Sequence, residues 1–282
     1  MYYDAHTHLN DDALYPQREQ HLSDFIAIWW QWLVCIGVDA VWNTRAIHIA
    51  QQSSLLFPGC VVKAALGLHP SEISYEHYTD KDMIDRAIVI LEQMIIANKD
   101  YVVAVGECGM DAHYENFQQH KALQVYLFEQ QCMLARRHAL PIVIHSRDAF
   151  DETITILEHY TDLKIYMHCR SYSPEQLTTM ITLFPQFWVW FCGNVTYPKA
   201  QQLRDALSTL VSHPRYAEKS LHLLLETDAP RLSPQTNRWK QNIPMYIQDI
   251  YTAIHDYTGI HHDDLQHSIR QSWMYLYGLD IV

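Results

Sequence analysis

Five short apolar runs of this 282-residue chain lead directly into histidine, glutamate or aspartate, and this recurrence constrains the fold more than any other feature. The first case lies in residues 4–9, where His6 and His8 are two residues apart. Side chains of an extended strand repeat every second residue, so both imidazoles point to one face and can bind one metal ion together. The other four residues are Glu107, His145, His168 and Asp228. The pattern predicts a metalloenzyme.

Strand-like and helix-like segments alternate along the chain. The predicted strands are 3–8, 39–43, 61–67, 101–106, 141–145, 164–168, 187–191 and 221–226. The predicted helices are 23–35, 45–57, 81–97, 117–138, 148–160, 174–184 and 197–211, followed by a helical tail over 244–277. We expect Asp148 and Ser173 to start two of these helices as caps.

Eight strands with intervening helices predict an α/β fold, a single parallel (β/α)8 TIM barrel with C-terminal helices that spans residues 1–282. Catalytic groups of such barrels lie at the C-terminal strand ends, which is where the five positions fall. A doubly wound open sheet is the alternative, but it requires a glycine-rich phosphate loop after its first strand. The chain has Asp-Ala-His-Thr-His there instead.

Composition sets limits on location and partners. No run of about 18 uncharged apolar residues predicts a membrane span, and the first residues lack the basic and apolar regions of a signal peptide. Six scattered cysteines without a Cys-x-x-Cys pair suit a reducing compartment, so we expect a cytoplasmic protein with no obligate protein partner. The 32 acidic residues against 20 Lys and Arg give a net charge of −12, which repels long polyanions.

Several segments together resemble the TatD-type metal-dependent hydrolases of the amidohydrolase-like barrel superfamily. They are DAHTHL (4–9), GLHP (67–70), GECGMD (106–111), PIVIHSRDA (141–149), HC (168–169) and LETDAP (225–230). The resemblance runs in order from residue 4 to about residue 245. It implies a divalent-metal hydrolase, most often described as a deoxyribonuclease that acts from the 3′ end.

The resemblance also implies a ligand set. His6, His8, Glu107 and Asp228 would hold one metal, and Glu107 would bridge to a second metal held by the other two histidines, His145 and His168. Two segments depart from the usual sequence of the family, and these differences bear on the identity of the substrate. Where the family usually has Phe-Ser-Gly-Ser, residues 170–173 read Arg-Ser-Tyr-Ser, and where it often has Arg-Asn-Glu-Pro, residues 241–244 read Gln-Asn-Ile-Pro.

Two divalent ions about 3.5–4 Å apart can polarise a scissile group and lower the pKa of a shared water towards ~7. Glu107 suits a bridging role because a carboxylate can donate one oxygen to each ion. Asp228 is expected to bind one metal and to accept the proton of the attacking water. The nitrogen-rich ligand set favours Zn or Mn over Mg, whereas nucleases of the family are usually assayed with Mg, so the identity of the two ions stays open.

The expected substrate is a nucleic-acid end or a small phosphate ester. His69, Arg147 and Arg170 follow strand ends and are expected to contact phosphate oxygens, as Lys199 and Arg231 also can. Two other classes stay open. An amidohydrolase that cleaves C–N bonds commonly has a carboxylated lysine where Glu107 stands, and a non-catalytic metal-binding barrel would keep the same ligands. The tryptophans Trp29, Trp30 and Trp32 are interpreted as helix packing against the barrel.

Overall fold

Eight parallel strands form one sheet in which their spatial order is their order along the chain, β1 to β8. The protein is seen in a computed structural model that describes residues 1–28, 30–57, 59–168, 173–217 and 222–278. The strands are β1 Tyr2–Thr7, β2 Trp30–Ile36, β3 Val61–Leu66, β4 Val102–Asp111, β5 Ile142–Arg147, β6 Ile165–His168, β7 Phe187–Phe191 and β8 His222–Leu225.

Helices follow the strands. They are α1 Arg18–Ile26, α2 Ala40–Leu56, α3 Ser71–Ser74, α4 Lys81–Ala97, α5 Phe117–Arg137, α6 Phe150–Leu157, α7 Pro174–Leu183, α8 Gln201–Ser212, α9 Pro214–Ala217, α10 Ile247–Thr258 and α11 His262–Tyr277. This alternation confirms the predicted (β/α)8 barrel with C-terminal helices.

The sheet closes on itself where the segment after β8 meets β1. The Asp228 amide donates to the carbonyl of His6 at 2.9 Å, and the His8 amide donates to the carbonyl of Ala229 at 2.8 Å. The buried carboxylate of Asp4 accepts bonds from the amide of Thr227 at 2.9 Å and from its hydroxyl at 2.6 Å. Backbone hydrogen bonds therefore hold the segment of His6 and His8 beside the segment of Asp228.

The local sequence explains most of the elements. Helix α4 begins where the Asp80 side chain accepts from the amide of Met83 at 2.8 Å, and it packs a stripe of Ile84, Ile88, Leu91 and Ile95 into the core. Every residue of β4 is buried, as expected for a parallel strand covered on both faces. Ser173 starts α7 with a capping box, as predicted. Asp148 does not cap α6, because the N-cap residue of that helix is Ala149.

The prediction of a strand at 39–43 is wrong, and the predicted helix at 23–35 is correct only for residues 23–26, the end of α1. The second strand is Trp30–Ile36, and residues 40–43 begin α2, where the Asp39 side chain accepts from the amide of Trp42 at 2.7 Å. The run Trp30–Ile36 is apolar except for Gln31 and lacks a clear periodicity, so a buried strand and a buried helix look alike in it. The helix interpretation of the tryptophans is accordingly wrong for Trp32, which lies buried in β2 with its ring 6.2 Å from that of Trp273. Trp29 lies outside the described residues.

One glycine lets two catalytic strands approach each other. Gly109 in β4 has φ +142°, and a Cβ built there would lie 2.0 Å from the carbonyl oxygen of His145 in β5. Any larger residue would push the two strands apart. This close approach sets the β4 face that carries Glu107 against the end of β5. Among the described helices, none has the length and apolar character that crossing a bilayer requires.

Candidate metal centre

All six predicted ligands meet at the C-terminal edge of the barrel. His6 lies in β1 and His8 just beyond it, Glu107 lies in β4, and His145 lies in β5. His168 is the last residue of β6, and Asp228 follows β8 by three positions. All six are almost fully buried from solvent. Two buried carboxylates among four imidazoles form a cluster whose donor atoms can bind a cation.

One set of donor atoms, the first donor cluster, is made by His6, His8 and Asp228. The Nε2 atoms of the two histidines are 3.1 Å apart. Asp228 Oδ1 lies 3.4 Å from His8 Nε2 and 3.8 Å from His6 Nε2. Glu107 Oε2 lies 3.4 Å from His6 Nε2 and 3.6 Å from His8 Nε2. The lone pairs of two imidazoles and two carboxylates thus converge on a volume where one ion can bind.

The second donor cluster is made by His145 and His168 on the other side of Glu107. Glu107 Oε1 lies 2.8 Å from His145 Nδ1 and 3.7 Å from His168 Nε2. The two histidines are register partners on neighbouring strands. The two oxygens of Glu107 therefore face two different histidine pairs, which is the geometry that a carboxylate needs to bridge two ions.

Groups behind the ligands orient the rings. His8 Nδ1 lies 3.0 Å from the carbonyl oxygen of Ile36, which only accepts, so Nδ1 carries the proton and Nε2 keeps its lone pair for the first donor cluster. The oxygens of Glu226 face the Nδ1 atoms of His168 at 3.1 Å and of His6 at 3.7 Å. Sequence reasoning missed Glu226. Its available signal was that it directly follows the apolar strand β8, as other candidates follow theirs.

The protonation states suit metal binding. Burial alone would raise the pKa of Glu107, but the electrostatic interaction with the His168 ring and the hydrogen bonds from His145 and His6 outweigh it and hold that pKa well below its ordinary value. Burial is likewise outweighed at Asp228, where the surrounding histidines, His168 foremost, hold the carboxyl pKa far below 3.8. Burial, and then His6, lower the pKa of His168 well below 6.5. Ionised carboxylates and a neutral imidazole are the forms that ligate cations.

An unsatisfied oxygen supports the same fit. Asp228 Oδ2 is buried and accepts no hydrogen bond from the part of the chain that the structure describes. A buried carboxylate oxygen without a donor is costly, so its presence at the centre points to an electropositive partner. The donor set therefore fits divalent cations.

Asp111 is a second residue that sequence reasoning missed. Its Oδ2 lies 3.1 Å from His145 Nε2, so both nitrogens of that ring face carboxylates. Burial lowers the pKa of His145, but the hydrogen bonds to Asp111 and Glu107 outweigh it and raise the pKa to about 9. Asp111 stands four residues after Glu107 in one strand, so both side chains lie on the same face, and this spacing was the available signal.

His69 lies beside the second donor cluster with Nε2 4.0 Å from Glu107 Oε1. By distance it could complete a ligand group with Glu107 and His145. However, the Ser71 amide donates to His69 Nδ1 at 3.1 Å, and burial together with the charge of His145 lowers the His69 pKa to about 3. The ring is therefore neutral with its proton on Nε2, which makes it a hydrogen-bond donor into the site.

A cavity of about 420 Å³ opens above the donors. Its wall includes Trp42, His69, Tyr75, Tyr114, Arg147 and Arg231. Arg147 and His69, both expected to contact phosphate, therefore lie at the cavity. Lys199 is exposed and is not part of this wall, and Arg170 lies outside the described residues.

Comparisons with known proteins agree with this geometry. A family model described as "TatD related DNase" matches residues 3–278. The uncharacterized metal-dependent hydrolase YabD of Bacillus subtilis is 28% identical over 256 residues, which cover 90% of each chain. The uncharacterized metal-dependent hydrolase YcfH of Escherichia coli is 31% identical over 187 residues, 66% of each chain. The crystal structure of YjjV, a TatD homologue from Escherichia coli, superposes with a TM-score of 0.82 at 23% identity and covers 99% of this chain and 98% of that one.

Proposed function

The chain belongs to the family of TatD-related DNases, and from this premise we propose that it is a divalent-metal-dependent phosphodiesterase that hydrolyses the end of a nucleic-acid strand. Metal-dependent hydrolysis is the activity class of the relatives that cover most of the chain. The observation that supports the finer proposal is the position of the two Glu107 oxygens. Oε2 lies 3.4 Å from His6 Nε2 in the first donor cluster, and Oε1 lies 2.8 Å from His145 Nδ1 in the second.

We propose that His6, His8 and Asp228 hold one divalent ion, that His145 and His168 hold another, and that Glu107 binds both. Bound divalent ions supply Lewis-acid polarisation of a phosphoryl oxygen and a lowered pKa of water. The donor set offers four imidazoles to two carboxylates, which favours Zn or Mn over Mg.

The protein groups move the proton. Asp228 is ionised, buried and free of donors at Oδ2, so it accepts the proton of the water that attacks phosphorus and returns it to the departing oxygen. His69 donates from Nε2 to a non-bridging phosphate oxygen, because its Nδ1 is occupied by the Ser71 amide. Arg147 on the cavity wall supplies a charge-assisted hydrogen bond to the same phosphate.

Charge and shape favour a strand end over an internal duplex site. The net charge of −12 repels phosphates that lie away from the centre. The donors lie at the bottom of a cavity rather than on an open groove, and each of the six proposed ligands is at most 4% exposed. An end can thread into such a cavity, whereas an internal position of a duplex would have to bend or open first.

The test is a turnover panel on protein reconstituted with Mn²⁺ or Zn²⁺. It compares a single-stranded oligonucleotide, the same sequence as a closed circle, an RNA strand and a small aryl phosphodiester. We expect the linear strand to be cut from its end faster than the circle. Equal or faster cutting of the circle would contradict the end-directed proposal, and turnover of the small diester alone would assign the site to small phosphate esters.

Asp228→Asn sharpens the mechanism. We expect kcat to fall by ~10²–10⁴-fold with KM within a few-fold of the parent, because an amide cannot accept the proton. Asp148→Asn is the matched control, since Asp148 follows β5 with its side chain 66% exposed and pairs with His113. Turnover of the Asp228 variant within a few-fold of the parent would remove Asp228 from this role.

A further inference from the structure

The segment after β8, residues 231–242, forms a loop that is attached to the metal centre at both ends. At its start the Arg231 amide donates to the carbonyl of Asp228 at 2.8 Å. At its end the Asn242 side chain donates to the carbonyl of Thr227 at 2.7 Å. Both acceptors lie on the chain that carries the proposed base. The loop is therefore fixed relative to the site where phosphorus is attacked.

Further bonds make the middle of this loop rigid. The Ser233 hydroxyl donates to the carbonyl of Lys240 at 2.6 Å, which ties the two sides of the loop together. The Thr236 hydroxyl and the Asn237 amide group both donate to Asp249 in α10, at 2.6 Å and 3.1 Å. The tip is thus held in one conformation, so any side chain that it exposes is presented to solvent in advance of binding.

The tip exposes the indole ring of Trp239, which stands between Arg238 and Lys240 in the sequence. Trp239 is 94% exposed, the most exposed large apolar side chain in the described chain. The Arg238 guanidinium lies over the Tyr197 ring at 4.1 Å and 5.7 Å from the centre of the Trp239 ring. The Lys240 ammonium donates to a neutral amide oxygen, that of Asn237, at 3.1 Å. No carboxylate neutralises this pair of cations within the described residues.

Two carboxylates of the cavity wall have the opposite charge. They belong to Asp39, which follows β2, and to Glu72 in α3. A polyanion is therefore repelled by these two carboxylates and attracted by the cations of residues 238–240. A flat aromatic face between two cations matches a single strand, which offers a base for stacking and a phosphate on either side of it. A duplex keeps its bases stacked inside and offers no such face.

We propose that Arg238, Trp239 and Lys240 form a platform that binds the single-stranded segment next to the end being cut, with one base stacked on Trp239 and the flanking phosphates on the two cations. This inference rests on the proposed nuclease function and adds to it a site outside the metal centre. It makes Trp239 a residue that sets substrate length, because only a chain that extends beyond the cavity can reach the ring.

The experiment compares Trp239→Ala with Trp239→Phe on the reconstituted enzyme, using a 20-nucleotide single strand and a small aryl phosphodiester. Stacking of one base on an aromatic ring corresponds to roughly 5–150-fold in affinity. We expect Trp239→Ala to raise the KM of the oligonucleotide about 10-fold, with kcat and the turnover of the small diester unchanged. Trp239→Phe should restore most of the loss because it keeps an aromatic face.

The matched control is Tyr257→Ala, which removes another exposed ring that lies under an arginine, Arg204, outside the loop. It should leave both substrates unaffected. A charge test uses Arg238→Gln and Lys240→Gln. Each should lower the slope of log KM against log salt concentration by ~0.7, the value for one phosphate contact on a single strand.

The outcomes separate this inference from the function on which it rests. If the parent cuts the oligonucleotide and Trp239→Ala leaves its KM unchanged, the platform is wrong and the nuclease function stands. An equal loss on the oligonucleotide and the small diester also overturns the platform, because the ring would then act on the metal centre. A parent that turns over the small diester but no oligonucleotide overturns both.

Discussion

The two donor clusters on either side of Glu107 each contain a histidine pair, but the pairs are prepared differently. In the first, His6 lies in β1 and His8 directly follows that strand, and the carbonyl of Ile36 fixes His8 with its lone pair inward. In the second, His145 comes from β5 and its second nitrogen is engaged by Asp111 at 3.1 Å. The first cluster therefore presents a free His8 Nε2 lone pair to an entering ion. The second must first lose a proton, because the pKa of His145 is raised to about 9.

This difference assigns the two clusters different affinities. We expect the first ion to bind tightly over the whole physiological pH range, and the second to bind more weakly and with release of a proton. Glu107 couples them, since each of its oxygens serves one cluster. The four predictions that follow test this asymmetry, from the largest expected effect to the smallest.

Removal of the shared carboxylate should erase the difference between the clusters. Glu107→Ala takes away one donor from each, so we expect elemental analysis after reconstitution to fall from about two divalent ions per chain to fewer than one. Turnover should fall by ~10²–10⁴-fold or more, the range for loss of a catalytic group. Glu115→Ala, at an exposed glutamate after β4, is the control. Full ion content in the Glu107 variant would show that this residue does not bridge.

The pH dependence of ion binding should differ between the clusters. Below the His145 pKa of about 9, the second ion displaces one proton, so its affinity should rise about tenfold per pH unit. Between pH 7 and pH 9 this amounts to about 50-fold, because His145 is half deprotonated at its pKa, and the affinity of the first ion should change little. Calorimetric titration with Zn²⁺ or Mn²⁺ in buffers of different ionisation enthalpy measures both steps and the proton released. Two steps with the same pH dependence would contradict the asymmetry.

Single histidine variants should empty the clusters selectively. His8→Ala should remove the tight step and leave a weak, pH-dependent one, whereas His145→Ala should remove the weak step and leave the tight one. Each should retain about one ion per chain at saturating metal. The same titration measures both variants, and loss of the tight step in His145→Ala would reverse the assignment.

The smallest effect concerns the stability of the metal-stripped protein. Because the folded pKa of His145 is raised to about 9, its protonation favours the folded state fully below pH 6.5, and this contribution is lost as the pH rises through 9. Asp111→Asn removes one of the two carboxylate partners, so it should reduce the fall in unfolding free energy between pH 7 and pH 9 by about 1–2 kcal/mol. Denaturant unfolding at the two pH values measures it. Parallel curves for parent and variant would contradict the raised pKa.

The sequence predicts that the six ligand candidates lie close together, because each one is in or near the C-terminal part of a strand. A parallel barrel brings all C-terminal strand ends to one edge, so His145 and His168 could be expected to meet although 22 residues lie between them in the sequence. The spacing of His6 and His8 adds a common face. Seven of the predicted strands overlap the observed ones, and the alternation of strands and helices was enough to predict the barrel.

Four features of the fold and the site could not be predicted from the sequence, each for a physical reason. Strand β2 was missed because an almost wholly apolar run has no clear period, although the Asp39 cap marked where the next helix begins. Asp111 and Glu226 were missed because a position near a strand end does not by itself show that a carboxylate faces a histidine. The exposure of Trp239 depends on how the loop after β8 folds back on α10, which is a tertiary property.

Anomalous diffraction from crystals grown with Mn²⁺ would locate the ions that Glu107 is proposed to share between the two histidine pairs. We expect two anomalous peaks about 3.5–4 Å apart, with Glu107 between them. One peak should be contacted by His6, His8 and Asp228, and the other by His145 and His168, with His69 outside both coordination spheres. A single peak, or a second peak ligated by His69 in place of His168, would contradict this proposal.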